Sequence, residues 1–198
     1  MSFRKEIKYS YSINEIKLVK EFLLKKGMKN LFPRRVINSC YFDTTDFELY
    51  RISIEDSLPK KKIRIRWYEK NNKFLKEIKI TSIEGRYKNS QPYFFDDIYI
   101  NSSHKLFDND YGLLKPSLLV SYEREYYSYE KVRITFDQKI KYKSYRNTKK
   151  KSAKDNLCVL EIKADINQSD DYLHNVINKL PDCFSKYTRG ISFVNNEI

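Results

Sequence analysis

Charged and apolar residues alternate along much of this sequence. Residues 62–67 read K-I-R-I-R-W, and the same period of two recurs in several other segments. Because successive side chains of a β-strand point to opposite faces, this pattern predicts strands with one ionic and one apolar face. We expect such strands at residues 3–11, 37–43, 61–69, 73–81, 93–100, 117–127, 131–138 and 157–165.

Two further segments have the period of an amphipathic helix. Residues 13–26 place apolar side chains on one stripe, with Ser12 or Asn14 available as the N-cap. Residues 170–180 predict a second helix, which Pro181 stops.

The remaining stretches predict connections within a single domain over residues 1–198. Residues 101–115 are polar and predict a loop, and the basic run at 145–154 predicts a flexible, solvated loop. Residues 184–194 close the chain.

The charge balance points to a polyanionic partner. The formal net charge is +13, which attracts nucleic acid, anionic membrane surfaces or polyphosphate without choosing among them. An AT-rich genome, which favours Lys, Asn, Ile and Tyr, also accounts for part of this charge. The sequence shows neither a secretion signal nor a long apolar run, so we expect a cytoplasmic protein with no intrinsic membrane span.

Several kinds of site are excluded by the residues available. With four glycines, the chain has no phosphate-binding glycine loop of the P-loop or Rossmann type. Cys40, Cys158 and Cys183 are scattered and only two histidines occur, which argues against a zinc site. A metal would therefore be held by carboxylates, and Mg²⁺ or Mn²⁺ is expected.

The ionic faces carry an ordered arrangement of charge. The tripeptide Glu-Ile-Lys occurs at residues 6–8, 77–79 and 161–163, and arginines recur on the neighbouring segments. A half-solvated sheet with its ionic face in water is one interpretation. The repetition favours another: a closed eight-stranded antiparallel β-barrel, mainly β in class, with flanking helices over its apolar exterior. Clustered arginines and lysines inside such a barrel would be stabilised by a polyanion.

Eight segments together resemble the triphosphate tunnel metalloenzyme superfamily, and in particular the VTC-type (vacuolar transporter chaperone) polyphosphate polymerase domain. They are R-K-E-I-K-Y (4–9), S-C-Y-F-D-T (39–44), K-I-R-I-R-W-Y (62–68), L-K-E-I-K (75–79), S-Y-E-R-E-Y (121–126), V-R-I-T-F-D (132–137), V-L-E-I-K (159–163) and S-K-Y (185–187). Arg4 replaces the first Glu of the E-x-E-x-K motif of the thiamine triphosphatase and adenylate cyclase branch, which favours the polyphosphate branch.

The resemblance implies roles for individual residues. The catalytic, basic wall would consist of Lys8, Arg64, Arg66, Lys79, Arg124 and Arg133, with Lys186 near the phosphate chain and Lys163 as a further substrate-binding residue. Glu161 would bind the metal, and Glu6 and Glu77 are additional metal candidates. Asp137 suits either a metal site or a salt bridge at the end of a strand.

These residues lead to three functional hypotheses. The first is a metal-dependent phosphotransferase that builds inorganic polyphosphate from ATP, and the second is a tripolyphosphatase or nucleoside triphosphatase with the same site. The third is a non-enzymatic binder of polyphosphate or nucleic acid, ranked last because acids in the site repel a nucleic-acid backbone. The expected partners are thus ATP and polyphosphate or triphosphate rather than nucleic acid. A membrane partner protein would not be visible in the sequence.

Overall fold

Antiparallel strands make up most of the protein. The computed structural model describes residues 4–69, 71–94, 100–146 and 152–195. The strands are β1 (Arg4–Ser12), β2 (Lys29–Asp43), β3 (Lys60–Tyr68), β4 (Asn71–Ser82), β5 (Gly85–Tyr93), β6 (Leu106–Asp108), β7 (Gly112–Tyr129), β8 (Val132–Ser144), β9 (Ser152–Lys154) and β10 (Leu157–Asp165). The helices are α1 (Ile13–Lys25), α2 (Glu48–Ile54), α3 (Asp170–Val176) and α4 (Lys186–Asn195). The mainly β class with a few helices is confirmed.

The strand order contradicts the closed barrel that the sequence predicted. Hydrogen bonds join the strands in the order β1-β10-β8-β7-β2-β3-β4-β5, with β6 beside β7 and β9 beside β8. Within the described ranges this order has two ends, β1 and β5, so a closed eight-stranded barrel is not observed. The physical character of β5 fits an edge strand, because its residues are exposed from Gly85 to Pro92 and a proline has no N–H to donate.

Contacts divide the chain into two compact units. The first comprises Met1–Val36, Tyr122–Ile140 and Asp155–Phe184, and the second comprises Ile37–Ser121, Lys141–Lys154 and Ser185–Ile198. The single domain expected over residues 1–198 stays a prediction.

The first unit buries the apolar faces of β1, β8 and β10 beneath two helices. Ile134, Phe136 and Leu160 from the strands share a core with Leu23 of α1 and Leu173 of α3. Helix α1 begins with a capping box, in which the Ser12 side chain and Glu15 cap each other's backbone N–H groups. The predicted helix over 13–26 is therefore confirmed, one residue shorter.

The second unit has its own core, in which Ile63 and Ile65 of β3 pack with Cys40 and Phe42 of β2 and with Leu49 of α2. These residues alternate with charged ones along β3, as expected for a strand with two unlike faces.

Some elements differ from the sequence-based expectations. The strand expected at residues 93–100 is wrong at its start, because Tyr93 is the last residue of β5 and Phe94 belongs to no strand. Residues 95–99 lie outside the described residues. The loop expected at 101–115 contains β6 and the start of β7. Helix α3 ends at Val176, before Pro181, because Ile177 is extended. Of the basic run at 145–154, residues 147–151 lie outside the described residues, and 152–154 form β9.

Helices α2 and α4 had no counterpart among the predicted elements. In the parts of the chain that the structure describes, none of the helices combines the length and apolarity needed to cross a membrane.

Candidate functional site

The second unit carries a cluster of cations on β3, β4 and β5, which we call the basic face: Lys62, Arg64, Arg66, Lys79 and Lys88. Arg64 lies opposite Glu77, and Lys62 and Lys88 both lie opposite Lys79 on the neighbouring strands. Alternation along β3 places these cations on the face opposite Ile63 and Ile65. The structure thus brings together the predicted residues Arg64, Arg66, Lys79 and Glu77.

Glu77 is the counter-ion of the basic face. Its Oε2 lies 2.7 Å from Nε and 2.6 Å from Nη2 of Arg64 and 3.5 Å from Nη1 of Arg66, and its Oε1 accepts from Lys88 Nζ at 2.6 Å. Burial raises the pKa of Glu77, but these cations outweigh it and hold the pKa well below its usual range. Both carboxylate oxygens of Glu77 are therefore in contact with cations. The geometry therefore favours a role for Glu77 as a counter-ion. Its predicted role as a metal ligand stays a prediction.

Two other side chains of this unit respond to the excess positive charge. Tyr41 accepts a hydrogen bond of 2.8 Å from Arg64 Nη1, and although burial raises its pKa, Arg64, Arg66 and Lys62 lower it overall. Lys62 donates to Ser185 Oγ at 2.9 Å, and burial together with Lys79, Lys60 and Arg64 lowers its pKa to about 8. The shift of Tyr41 reflects the neighbouring cations, whereas burial is the main cause of the shift of Lys62.

Helix α4 starts beside Lys62 and carries the predicted Lys186 in its first turn. The Tyr187 ring stacks on Tyr41 with centroids 4.8 Å apart, and its hydroxyl donates to Asp43. Asp43 also accepts the backbone N–H groups of Leu49 and Tyr50, so it anchors two helices to the end of β2.

The first unit carries a different arrangement on β1, β10 and β8, which we call the mixed face. One cross-strand row consists of Glu6, Lys163 and Arg133, and the next consists of Lys8, Glu161 and Thr135. Acids and bases therefore face each other between β1 and β10, which is a favourable cross-strand pairing, whereas Lys163 of β10 faces the like-charged Arg133 of β8.

The mixed face includes a buried ion pair. Asp137 is fully buried and accepts two hydrogen bonds from Arg124, at 2.5 Å from Nε and 2.7 Å from Nη2. Arg124 Nη2 also lies 3.6 Å from Glu161 Oε2. Burial lowers the pKa of Arg124, but Asp137 more than compensates and keeps the guanidinium charged. Of the two roles considered for Asp137, the structure shows the salt bridge.

Glu161 and Glu6 share one cation. Lys163 Nζ lies 2.9 Å from Glu161 Oε1 and 3.3 Å from Glu6 Oε1, while Lys8 Nζ donates to the carbonyl of Phe184 at 3.0 Å. Glu161 is 5% exposed. The two carboxylates therefore act together on one cation, the ammonium group of Lys163.

The mixed face offers few ligands for a divalent metal ion. Among the described residues there is no group of three or more acidic, His or Cys side chains arranged to hold a metal. Mg²⁺ typically binds through one or two carboxylates and completes its shell with substrate phosphates and water. Glu161 and Glu6 offer two such carboxylates, both in contact with Lys163, whereas Glu77 offers one, in contact with Arg64, Arg66 and Lys88.

Arg133 differs from the other predicted arginines because the described residues give it neither an ion pair nor a hydrogen bond, although its Nε is buried. Together with Lys163, Arg133 lines a pocket of about 330 Å³. An unpaired guanidinium at a pocket is available for an anion.

The sequence reasoning missed three residues: Lys62, Lys88 and Thr135. Lys62 shares its face with Arg64 and Arg66 and was available from the same alternation. Lys88 lies on β5, where polar residues occupy both faces and hide the period of two. Thr135 carries no charge, so no signal singled it out.

Comparisons with known proteins agree with this architecture. The sequence matches the family model of the VTC domain over residues 3–195. A search among curated proteins found no match.

Among solved structures, a candidate adenylate cyclase from Bacillus halodurans has a TM-score of 0.60 and 17% identity, covering 94% of this chain and 97% of its own. A protein from Pyrococcus horikoshii has a TM-score of 0.55 and 12% identity, covering 94% and 99%. A candidate adenylyl cyclase from Hippeastrum, described with a dominant triphosphatase activity, has a TM-score of 0.51 and 14% identity, covering 89% and 85%.

At these identities the structures show the fold alone, and the family match covers nearly the whole chain. The chain therefore belongs to the VTC domain family.

Proposed function

We propose that the protein is a metal-dependent phosphotransferase that builds inorganic polyphosphate from ATP. The observation that carries this proposal is the basic face, on which Arg64, Arg66 and Lys88 contact the carboxylate of Glu77, and Lys62 and Lys79 add two further cations on the neighbouring strands. Phosphate groups complement such a cluster, because arginine binds phosphate through paired hydrogen bonds and lysine acts as a point charge.

Phosphoryl transfer requires mainly positioning and charge stabilisation from a protein. The terminal phosphate of a polyphosphate chain would attack the γ-phosphorus of ATP. A new P–O–P bond forms, the bond to the β-phosphate breaks, and ADP leaves. Arg64, Arg66 and Lys79 would hold phosphate groups, with Lys186 as a further contact.

The metal-binding role is assigned to Glu161, with Glu6 as its neighbour. A bound Mn²⁺ or Mg²⁺ supplies charge neutralisation at phosphoryl oxygens. On the mixed face, Lys8, Arg124, Arg133 and Lys163 would offer positive charge to phosphate groups. Because the acceptor is itself a phosphate, no protein nucleophile is required.

A second candidate is a triphosphatase, in which water replaces the phosphate chain as the acceptor. The observation that favours it is the fold likeness to the Hippeastrum protein described with triphosphatase activity. The same cations and carboxylates serve both reactions, so the product distinguishes them.

The test is to incubate the purified chain with ATP and Mn²⁺, with and without a short polyphosphate primer. Long chains are resolved on a gel, and ADP and free phosphate are measured in parallel. We expect chains from the wild type, none from Glu161→Gln, and wild-type yield from the control Glu84→Gln, whose side chain is exposed. Free phosphate without chains would establish the triphosphatase, and neither product would overturn both assignments.

A further inference from the structure

Two buried polar atoms of β8 have no hydrogen-bond partner within the described residues. They are Arg133 Nε and Thr135 Oγ1, two positions apart on the same strand. The Thr135 residue is 1% exposed. Buried polar groups in native proteins are nearly always hydrogen-bonded, so an adjacent pair without partners requires an explanation.

Both atoms belong to the mixed face. Ile134 and Phe136, which alternate with them on β8, lie in the core of the first unit. Across the sheet, Thr135 is paired with Glu161 and Arg133 with Lys163. Thr135 therefore lies directly beside the proposed metal-binding carboxylate, between Arg133 and Asp137 along its own strand.

The chemistry of the two atoms identifies the missing partner. An arginine Nε is a donor only, so it requires an acceptor, and a threonine hydroxyl can donate to the same group. Arg133 and Lys163 add positive charge beside them. An oxygen-rich anion satisfies these conditions, and a phosphoryl group offers several acceptor oxygens at once.

We propose that Thr135 is a phosphoryl-binding residue, whose hydroxyl and the neighbouring Arg133 Nε bind phosphoryl oxygens next to Glu161. This inference rests on the proposed function for the identity of its ligand as a phosphate chain. It assigns to an uncharged side chain a direct contact with substrate.

The test uses two substitutions of nearly equal size. Thr135→Val removes the hydroxyl and keeps the shape, whereas Thr135→Ser keeps the hydroxyl. Binding of tripolyphosphate is measured by calorimetry without ATP and without metal, and the melting temperature of the ligand-free protein is measured alongside.

We expect Thr135→Val to weaken tripolyphosphate binding at least tenfold and Thr135→Ser to stay within about threefold of the wild type, as for a hydrogen bond to a charged group. The melting temperature of ligand-free Thr135→Val should equal or exceed that of the wild type, because an unsatisfied buried hydroxyl is gone. A buried water satisfying Thr135 predicts the opposite result: a lower melting temperature with unchanged binding.

Unchanged binding by Thr135→Val would overturn the proposal, as would a wild type that does not bind tripolyphosphate. If Thr135→Val fails to fold, Arg133→Lys decides, since it keeps the charge but loses the Nε donor; unchanged binding overturns the proposal there too. Because the assay needs no turnover, a wild type that makes no polyphosphate, yet binds tripolyphosphate through Thr135, would contradict the polymerase assignment and support this one.

Discussion

Glu77 offsets part of the charge repulsion within the basic face. Three like charges beside one another are unfavourable, and one buried carboxylate in contact with Arg64, Arg66 and Lys88 reduces their repulsion. The compensation is incomplete, because one carboxylate faces three cations, and Lys62 and Lys79 lie nearby on the same strands. A polyanion would supply the remaining negative charge.

Lys62 gives a pH-dependent prediction. As pH rises from about 7 to about 9, Lys62 loses its proton and the basic face loses one charge, so the affinity for tripolyphosphate should fall. Lys62→Arg stays charged and should show a flatter pH profile, since arginine has a far higher pKa. Calorimetric titration of the wild type and Lys62→Arg with tripolyphosphate measures the affinity at each pH. Identical pH profiles would show that Lys62 does not titrate between about pH 7 and about pH 9.

The lowered pKa of Lys62 also makes the free energy of unfolding depend on pH. This free energy should rise with pH, whereas the affinity for tripolyphosphate should fall. The folded pKa of about 8 lies below the ordinary lysine value. Protonation of Lys62 therefore opposes folding at low pH, and this penalty is relieved as pH rises from about 8 to about 10. In urea unfolding, Lys62→Met should lack the corresponding rise in the free energy of unfolding.

The sequence predicted correctly which side chains share one face of a strand, because alternation alone determines this. The period of two placed Arg64, Arg66, Glu77 and Lys79 on one face, as found. It did not show that Glu77 would contact three cations, because one of them, Lys88, lies on a strand with polar residues on both faces. The partners of one carboxylate depend on three-dimensional contacts that the pattern does not contain.

At the scale of elements, helix α4 of the second unit packs closely at Gly190 against Leu118 of β7 and Tyr142 of β8. A Cβ added at Gly190 would lie 2.5 Å from Leu118 Cδ2 and 2.5 Å from Tyr142 Cδ1. The helix also contributes the Tyr187–Asp43 hydrogen bond and a hydrogen bond of 2.8 Å between Ser192 and Tyr50. Glycine at this position is therefore required by packing rather than by backbone conformation.

Gly190→Ala should destabilise the protein by about 1–3 kcal/mol, since the added methyl group overpacks a dense core. A chemical denaturation curve measures the change, and Asn195→Ala, at the end of the same helix, is the control. Equal midpoints for Gly190→Ala and the wild type would contradict the close packing of α4. Because the mutation loosens the start of α4, tripolyphosphate affinity should fall as well.

The elements with strong periodicity were the ones predicted well from sequence. Strand β10 matches its expected bounds, and α1 differs by one residue. Helix α2 was missed because it begins without a side-chain N-cap, unlike α3 of the same length, and α4 because Gly190 interrupts its propensity while tertiary packing stabilises it. Barrel closure was inferred from ionic faces on every strand, but alternation describes a strand and does not specify its neighbours.

At the scale of the whole molecule, two explanations of the net charge of +13 remain distinct. Either polyanion binding is a general effect of surface lysines, or it is localised at the basic face. The general field decays within about 10 Å at moderate salt, whereas buried, hydrogen-bonded contacts are screened much less.

The measurement that separates them most directly is the affinity for tripolyphosphate of charge-matched variants at a fixed salt concentration. Arg64→Gln and Lys79→Gln remove charges of the basic face, and Lys17→Gln and Lys29→Gln remove exposed charges elsewhere. A charge-assisted hydrogen bond is worth about 1.5–3 kcal/mol, so we expect losses of at least tenfold for Arg64→Gln and Lys79→Gln. The Lys17 and Lys29 variants should stay within about twofold. Equal, small losses in all four would contradict a phosphate-binding basic face and leave the affinity to net charge alone.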